Sequence, residues 1–226
     1  MYAMGDIQDA RIIKSFRRSM SIQIGKDGIV LVKAPHGMPD FLIRRFIHSH
    51  QQWIEKHQTA LAKKPKVPER KFAHGESFLY MGAEHKLHIG PHTSLSVKDG
   101  MILFPEFLTF RIQKELLSWY QRQAREIIST LVDEHALKMG VSYTELYFSV
   151  TTSKWGSCTH DNRLQFNWHL IMAPAIVIRY VVVHELVHTM IKNHSRAFWS
   201  KVEQYNPSYR QQRKWLRDHG HTIQEL

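Results

Sequence analysis

Apolar and polar residues alternate along residues 20–34, and a period of two is typical of β-strands. Apolar residues stand at Ile22 and Ile24, before the turn-forming segment Gly25–Gly28, and again at Ile29–Val32. Two such segments joined by a short glycine-containing turn are typical of a β-hairpin. The sequence therefore predicts a hairpin near the beginning of the chain.

A helical spacing of apolar residues follows this hairpin. Asp40 can cap a helix that runs to about Ala62, and the lysine- and proline-rich segment 63–68 predicts a loop or linker after it. Short strand-like segments separated by glycines come next, at residues 77–80, 85–89, 95–97 and 101–104. Residues 1–110 are therefore predicted to form a β-rich N-terminal lobe with one long helix.

The second half of the chain has a different pattern. A long amphipathic segment predicts a helix over residues 113–138, and Gly140 is suited to its C-terminal end. Tyr147–Thr152 and Arg163–His169 have the pattern of strands and are predicted to form a small antiparallel sheet. Three further helical segments follow, at residues 173–191, 195–204 and 208–218. We expect an α+β protein in which residues 111–226 form the second domain.

The helical segment 173–191 contains an HExxH motif, formed by His184, Glu185 and His188. Residues i and i+4 lie about 40° apart on one face of a helix. Two histidines there can bind one zinc ion, and the glutamate reaches toward the water that the ion activates. Apolar residues nearly encircle this helix, which predicts burial. Because burying unpaired polar groups costs free energy, the motif predicts one catalytic zinc ion, or another divalent metal in its place.

A catalytic zinc ion usually takes three protein ligands, and His194 is the favoured third ligand. In an unbroken helix it would lie about 80° around the axis and about 15 Å along it from His184. The helix must therefore end near Lys192–Asn193, with Asn193 suited to a left-handed turn, and Ser195 can cap the next helix. The alternatives for the third ligand are Glu203, His219 and His221, and a solvated turn is the alternative role for His194.

The composition restricts the class of protein. The chain has 226 residues, 43% of them hydrophobic, and the single cysteine Cys158, so it can bury a sizeable core but cannot form an internal disulfide. Its N-terminus carries no apolar run of the signal-peptide type. The apolar run at 173–191 includes Arg179 and the HExxH residues, which argues against a membrane span. We expect a cytoplasmic protein without a membrane partner.

The chain is strongly basic, with a formal net charge of +11. Basic residues cluster at 11–18, 63–71 and 210–217. A basic surface attracts polyanions such as nucleotides and nucleic acid, although a solvated basic face accounts for the same composition equally well. The charge therefore keeps an anionic substrate as an alternative partner.

Several motifs, taken in order along the chain, resemble the YgjP-like family of predicted metal-dependent hydrolases, a zincin-like group similar to the SprT/Spartan proteases. They are SKWGSC at 153–158, RLQFNWHLIMAP at 163–174, YVVVHELVH at 180–188 and NHSRAFW at 193–199, with VLVKAP at 30–35 and FLYMGAEHKLHIG at 78–90. The resemblance implies a zincin-like hydrolase domain over residues 111–226 and a peptide or protein substrate. It also implies His184, His188 and His194 as metal ligands and Glu185 as general base.

Metal-assisted hydrolysis also needs a group that stabilises the oxyanion. Tyr180 is the first candidate, because it lies one helical turn before His184 on the same face. The other candidates are Arg179, His160 and Tyr205.

The loop before strand Arg163–His169 is a further candidate for substrate contact. Trp155 and Cys158 are expected to pack against the site or to touch substrate, and Gly156 is suited to close backbone approach. A catalytic thiol is disfavoured, because activated water already supplies a nucleophile. Asn167 is the candidate substrate contact on the strand itself. This strand is predicted either to pair with an extended substrate as an edge strand or to be an ordinary core strand.

Three functional classes agree with these patterns. The first is a zinc metallopeptidase in which Glu185 acts as general base. The second is a metal-dependent hydrolase of nucleotides or other phosphate compounds, because the same activated water can attack phosphorus. The third is a nucleic-acid-associated module whose metal site is secondary.

Overall fold

The computed structural model describes residues 10–25, 27–62, 70–150 and 154–224. The chain divides into two compact units, Met1–Pro68 and Glu69–Leu226. The loop predicted at 63–68 and the first nine residues lie outside the described residues. The described helices are α1 Asp40–Ser49, α2 Gln51–Ala62, α3 Ile112–Met139, α4 Ala175–Met190, α5 Arg196–Tyr205 and α6 Tyr209–His219. With the strands given below, they confirm an α+β fold.

The first unit contains a three-stranded sheet and two helices. Its strands are β1 Arg11–Ser15, β2 Ser21–Ile24 and β3 Val30–Pro35, in the order β1-β3-β2. The β2–β3 pair is antiparallel and confirms the predicted hairpin, whereas β1 runs parallel to β3. Apolar side chains from β3 and both helices form its core, namely Val32, Ala34, Ile43, Ile47 and Ile54.

The single helix predicted for residues 40–62 is wrong, because α1 and α2 are separated at His50. The ring Nδ1 of His50 lies 2.9 Å from the carbonyl oxygen of Phe46, which would be the acceptor for its own N–H in a continuous helix. That N–H instead donates to the carbonyl of Ile47 at 3.0 Å. The side chain thus competes for the helical hydrogen bond and favours the break.

The second unit begins with a four-stranded sheet packed against the longest helix. Its strands are β4 Ser77–Tyr80, β5 Ala83–Gly90, β6 Ser96–Lys98 and β7 Met101–Pro105, in the order β4-β5-β7-β6. Helix α3 ends as predicted, with Gly140 in the left-handed conformation at φ 65°. Phe78 and Ile102 of the sheet share one core with Tyr120 of α3 and Val182 of α4.

The sequence predicts a domain boundary at residue 110, whereas the chain divides into compact units after Pro68. The strands between Ser77 and Pro105 lie in the same unit as α4. The turn at Gly82 shows how closely they meet: Met81 N–H donates to Ile171 at 2.8 Å, and a Cβ added to Gly82 would lie 2.7 Å from Pro174. This glycine, at φ 82°, lets the β4–β5 turn reach the start of α4.

The second unit also contains a three-stranded sheet beside α4, with strands β8 Glu145–Ser149, β9 Gly156–Cys158 and β10 Arg163–Asn167 in the order β8-β10-β9. The predicted antiparallel arrangement is wrong for β8 and β10, which run parallel, and only β9 and β10 are antiparallel. The physical reason is that the connecting segment itself contains β9. This strand forms the hairpin with β10 and leaves β8 to pair with the opposite side.

Candidate metal centre

Helix α4 carries the HExxH residues in a nearly all-apolar environment. The side chains of Val181, Val182, Val183, Leu186 and Val187 are all at most 3% exposed. The helical spacing places His184, Glu185 and His188 on one side of α4, where all three line the same cavity. Within residues 10–25, 27–62, 70–150 and 154–224, no helix has both the length and the hydropathy needed to cross a membrane.

The chain reverses after α4 and brings His194 back toward the helix. The helix ends at Met190, and Ile191 is extended, with φ −132° and ψ 107°. The prediction of a left-handed turn at Asn193 is wrong, because the backbone already leaves the helix at Ile191 and Asn193 is not among the described residues with positive φ. The Asn193 side-chain oxygen instead accepts from the Ser195 N–H at 3.3 Å.

Ser195 then caps α5, as predicted, by accepting the Phe198 N–H at 3.4 Å. Phe198 and Val202 bury the inner face of α5, and the ring centroid of Phe198 lies 4.8 Å from that of His194. The cap and this packing hold the turn that carries His194.

Three imidazole nitrogens converge at this point. His194 Nε2 lies 3.1 Å from His184 Nε2 and 3.2 Å from His188 Nε2. Ligands that bind one zinc ion tetrahedrally at 2.0–2.1 Å would be separated by about 3.3 Å. In the described parts of the chain, these three histidines are the only group of three or more His, Cys, Asp or Glu residues whose ligand atoms lie close enough to hold a metal.

The Nδ1 atoms of His188 and His184 have surroundings that agree with a metal between the three Nε2 atoms. His188 Nδ1 lies 3.0 Å from the Ile191 carbonyl, so a proton on Nδ1 leaves the Nε2 lone pair directed toward the other histidines. His184 Nδ1 is buried without a hydrogen-bond partner among the described residues, so the polar contacts of this ring are confined to Nε2. Three imidazoles form a donor set that zinc and similar divalent ions prefer.

Burial also sets the protonation of the two helical histidines. It lowers the pKa of His184 to about 3, with further lowering by the charges of His188, His194 and Arg213. Burial lowers the pKa of His188 as well. Both rings are therefore neutral near pH 7, which is the form that binds a metal ion. The residues present fit a divalent metal.

Glu185 lies beneath strand β9 with only 5% of its surface exposed. A Cβ added to Gly156 would lie 2.7 Å from Glu185 Cγ and Oε1, so only glycine permits this approach without a shift. Burial raises the pKa of Glu185 to about 8, and the positive charge of Lys154 opposes that rise. The carboxyl is thus enclosed by protein and sensitive to any cation placed beside it.

A cavity of about 480 Å³ opens over the three histidines and Glu185. Of the residues predicted to contact substrate, Trp155, Cys158 and Tyr180 line it. Tyr180 is buried, which raises the pKa of its hydroxyl to about 12, and its ring centroid lies 5.8 Å from that of His184. Burial also raises the pKa of the Cys158 thiol, so this cysteine lacks the depressed pKa of a nucleophile.

Other predicted residues lie elsewhere. Arg179 is exposed on the side of α4 that approaches α3, where its charge acts with burial to lower the pKa of His135. Asn167 is buried, and its side-chain oxygen accepts the His169 N–H at 3.0 Å, capping the 3₁₀ turn Trp168–Met172. Neither residue lines the cavity over the histidines.

The alternative ligands also lie apart from the three histidines. Glu203 forms an ion pair with Arg210 at 2.6 Å. The ring of His219 stacks on Trp215, and His221 is exposed. Among the alternatives for the oxyanion, His160 is exposed and Tyr205 is contacted by Lys201, with its ammonium 5.5 Å from the ring centroid.

Strand β10 does not offer a free edge, because β8 and β9 pair with its two sides. Of the two alternatives predicted for this strand, the substrate-pairing edge is therefore wrong and the core strand is confirmed, and β9 is the terminal strand on the cavity side. Sequence reasoning missed Lys154, Lys192 and Leu216, which also line the cavity, and Trp199, whose ring stacks on His194 at 5.6 Å. No spacing rule links these residues to the HExxH motif.

Comparison with known proteins places the chain in a family. A short match relates it to the crystal structure of the metallopeptidase zymogen jannalysin from Methanocaldococcus jannaschii, at 23% identity and a TM-score of 0.31, covering 34% of this chain and 80% of that chain. A comparison with curated proteins gives no match. The family model described as YgjP-like, metallopeptidase domain matches residues 18–219. With nearly the whole chain matched, the protein belongs to the YgjP-like family and carries its metallopeptidase domain.

Proposed function

We propose that this protein is a zinc-dependent metallopeptidase in which His184, His188 and His194 bind one zinc ion and Glu185 is the general base. The observation that carries the proposal is the approach of the three Nε2 atoms, at 3.1 and 3.2 Å. Nitrogen atoms that face one another at this distance require a proton or a cation between them. The family match to a metallopeptidase domain supports the same conclusion.

When bound, the zinc ion supplies Lewis acidity, polarising a carbonyl group and lowering the pKa of water to about 7. Glu185 accepts the proton that the attacking water loses and delivers it to the leaving amine. A nearby dication favours the carboxylate form that this first step requires, against the burial that raises the pKa of Glu185. Gly156 and strand β9 exclude solvent from one side of this carboxyl.

Tyr180 is the proposed oxyanion stabiliser. Of the four candidates, it alone lies among the described residues that line the cavity. Its raised pKa keeps the hydroxyl protonated at neutral pH, so it can donate a hydrogen bond to negative charge that develops on the substrate.

The proposed substrate is an extended peptide that pairs with the outer side of β9. This strand ends its sheet, and Gly156, Ser157 and Cys158 all line the cavity. A terminal strand presents backbone N–H and C=O groups, and an added peptide strand satisfies them without requiring a particular sequence.

The test is the variant Glu185→Gln, loaded with zinc and assayed on an unfolded protein such as casein. We expect cleavage to fall by about 10²–10⁴-fold, the usual contribution of a general base, while one zinc ion per chain stays bound. The matched control is Glu203→Gln, which removes a half-buried carboxylate outside the cavity. Casein cleavage by Glu185→Gln at the wild-type rate would show that the proposed role is wrong.

The hydrolysis of a phosphate compound is the second candidate, favoured by the two lysines, Lys154 and Lys192, that line the cavity. The same variants should be assayed with a nucleotide panel. Release of phosphate or pyrophosphate that depends on Glu185, without casein cleavage, would replace the peptidase proposal with this one.

A further inference from the structure

The cavity over the metal centre is partly lined by side chains that the proposed chemistry does not use. Trp155, Val181 and Leu216 line it, and each of these side chains is wholly or largely apolar. Binding cavities commonly combine a few reactive polar groups with an apolar surface that holds a part of the ligand that does not react. These three residues are therefore candidates for recognition of the substrate.

Helix α4 places Val181 close to the reacting groups. Val181 precedes Glu185 by four residues, so the two side chains lie on one face of the helix, about 6 Å apart along its axis. The Val181 side chain is only 3% exposed and lines the same cavity as Glu185. Consecutive Cα atoms of a peptide are about 3.8 Å apart, so the residue next to a scissile bond at the metal centre can reach Val181.

Trp155 forms a second wall at the same end of the cavity. It directly precedes Gly156, which lies against Glu185, and its carbonyl accepts the Asn167 N–H at 2.8 Å. Its indole packs on the residue that follows α6, because a Cβ added to Gly220 would lie 2.9 Å from Trp155 Cζ2. The backbone and the ring of Trp155 are thus both held by other parts of the fold, so this wall is formed before a substrate binds.

Leu216 closes this end of the cavity from α6. It is half-buried, and its carbonyl accepts the Gly220 N–H at 2.9 Å, in the turn against which Trp155 packs. The rings of Tyr180 and Tyr209 stack at a centroid distance of 6.5 Å and connect α4 with the start of α6. Helix α6 thus carries Leu216, supports Trp155 and packs against α4.

The other end of β9 has a polar character. Cys158 is the last residue of this strand, and its sulfur lies 3.6 Å from the ammonium of Lys192, which follows the end of α4. Strand β9 therefore runs alongside α4, from Glu185 at its first residue to Lys192 at its last. A peptide paired with β9 would have the two residues that flank the scissile bond at ends of different chemical character.

We propose that Trp155, Val181 and Leu216 form an apolar subsite that selects peptides with a large apolar residue, such as Leu or Phe, next to the bond that is cut. Moving such a side chain from water into an apolar subsite stabilises the bound peptide, whereas burying an amide or a charge without a partner destabilises it. This inference rests on the proposed peptidase function and names the substrate class of the same site.

The experiment uses the zinc-loaded full chain and a peptide that contains a casein cleavage site identified by mass spectrometry. The residue before the cut is varied among Leu, Phe, Ala, Asn and Lys in one series, and the residue after it in another. In one series we expect kcat/KM for Leu to exceed that for Ala and Asn by at least about 10-fold, since a single methylene in an apolar pocket changes kcat/KM by about 10–200-fold. The series that responds gives the direction of the bound peptide along β9.

Substitutions of Leu216 test whether this end of the cavity is responsible. Leu216→Phe fills the subsite, so it should lower kcat/KM for the Phe peptide by about 10-fold and change that for the Ala peptide little. Leu216→Ala enlarges the subsite and should shift the preference from Leu toward Phe. Leu137→Phe is the matched control, because Leu137 is 86% exposed on α3 and does not line the cavity. It should keep the wild-type preference and rate.

The two proposals fail in different ways. Equal kcat/KM for the Leu, Ala and Asn peptides in both series, or a preference for Asn or Lys, with cleavage still dependent on Glu185, would overturn the apolar subsite and leave the peptidase function standing. A preference for Leu that neither Leu216→Phe nor Leu216→Ala changes, in variants that keep their zinc, would overturn the assignment to this end of the cavity. Absence of any peptide cleavage would overturn both proposals.

Discussion

The cavity has two walls of very different origin. One wall is α4, a regular helix of 16 residues whose own geometry spaces His184, Glu185 and His188. The other is β9, a strand of three residues that is half-buried and that closes over the helix. Helix α4 carries two of the three histidines that fit a metal ion, and the turn after it carries His194. The strand wall contributes a glycine, backbone edges and the neighbouring Lys154.

The two walls show that one part of the structure can position a reactive side chain while another part sets its pKa. A helix places side chains at a fixed spacing wherever it lies. Their pKa values, however, follow from what packs against them: β9 excludes water from Glu185, and Arg213 contributes its charge to His184. The comparison predicts that changes to the histidines of α4 and of the turn after it affect metal binding most, whereas changes in β9 act through packing and charge.

The largest expected effect is on metal affinity. His194→Ala should weaken zinc binding by at least about 100-fold, since even groups outside the first ligand sphere contribute 10–100-fold. Glu203→Ala should leave affinity unchanged, because Glu203 pairs with Arg210 away from the histidines. Competition with a chromophoric chelator measures both. If His194→Ala retained wild-type affinity and Glu203→Ala lost it, the carboxylate would be the third ligand.

The contact between the two walls should give the next largest effect. Gly156→Ala should destabilise the metal-free protein by about 1–3 kcal/mol, the usual cost of overpacking, because the new Cβ meets three atoms of Glu185. In a Glu185→Ala background those atoms are absent, so most of this cost should disappear. Denaturant unfolding of the four proteins gives the coupling energy.

Gly37→Ala is the matched control for this cycle, because a Cβ there meets nothing within 4 Å. An equal cost of Gly156→Ala with and without the Glu185 side chain would contradict the proposed close contact between β9 and α4.

The smallest effect is a pH dependence of stability. The pKa of Glu185 rises from 4.5 to about 8 in the metal-free fold, so between these pH values the folded state holds a proton that the unfolded chain has released. Stability must therefore fall as pH rises toward 8. The lowered pKa values of His184 and His188 act below about pH 6.5, in the opposite direction.

Between about pH 6.5 and 8, metal-free wild type should lose about 2 kcal/mol of stability relative to Glu185→Gln. Urea unfolding of both proteins after chelation of metal measures this difference. If the free energies of unfolding of the two proteins changed in parallel with pH, burial would not raise the pKa of Glu185.

Local patterns predicted much of the fold. The β2–β3 hairpin and the end of α3 at Gly140 follow from alternation and from the freedom of glycine at positive φ, both of which act over a few residues. The predictions that were wrong depend on a side chain that competes for a backbone hydrogen bond, or on pairing between strands distant in the chain. The His50 ring takes a helical carbonyl and interrupts the helix, and β9 takes the antiparallel place beside β10. Periodicity contains no information about either choice.

The same limit applies to the candidate site. The motif spacing indicated His184, Glu185 and His188, and the need for a third ligand indicated a chain reversal before His194. The structure brings the three histidines together through an extended Ile191 rather than a left-handed Asn193. Asn167 and Arg179 lie away from the cavity. Which residues of a strand or helix face the cavity depends on the side by which that element packs, and the sequence does not give that side.

The sequence by itself determined the HExxH spacing, the near-continuous apolar surface of α4 and the family, because these depend on residue types and local helical geometry. Only the tertiary structure decided that β9 covers Glu185 and that Lys154 and Lys192 line the cavity with the three histidines. These arrangements depend on packing between segments distant in the chain. Burial and charge at a point in space, rather than position in the sequence, set the chemistry of a side chain.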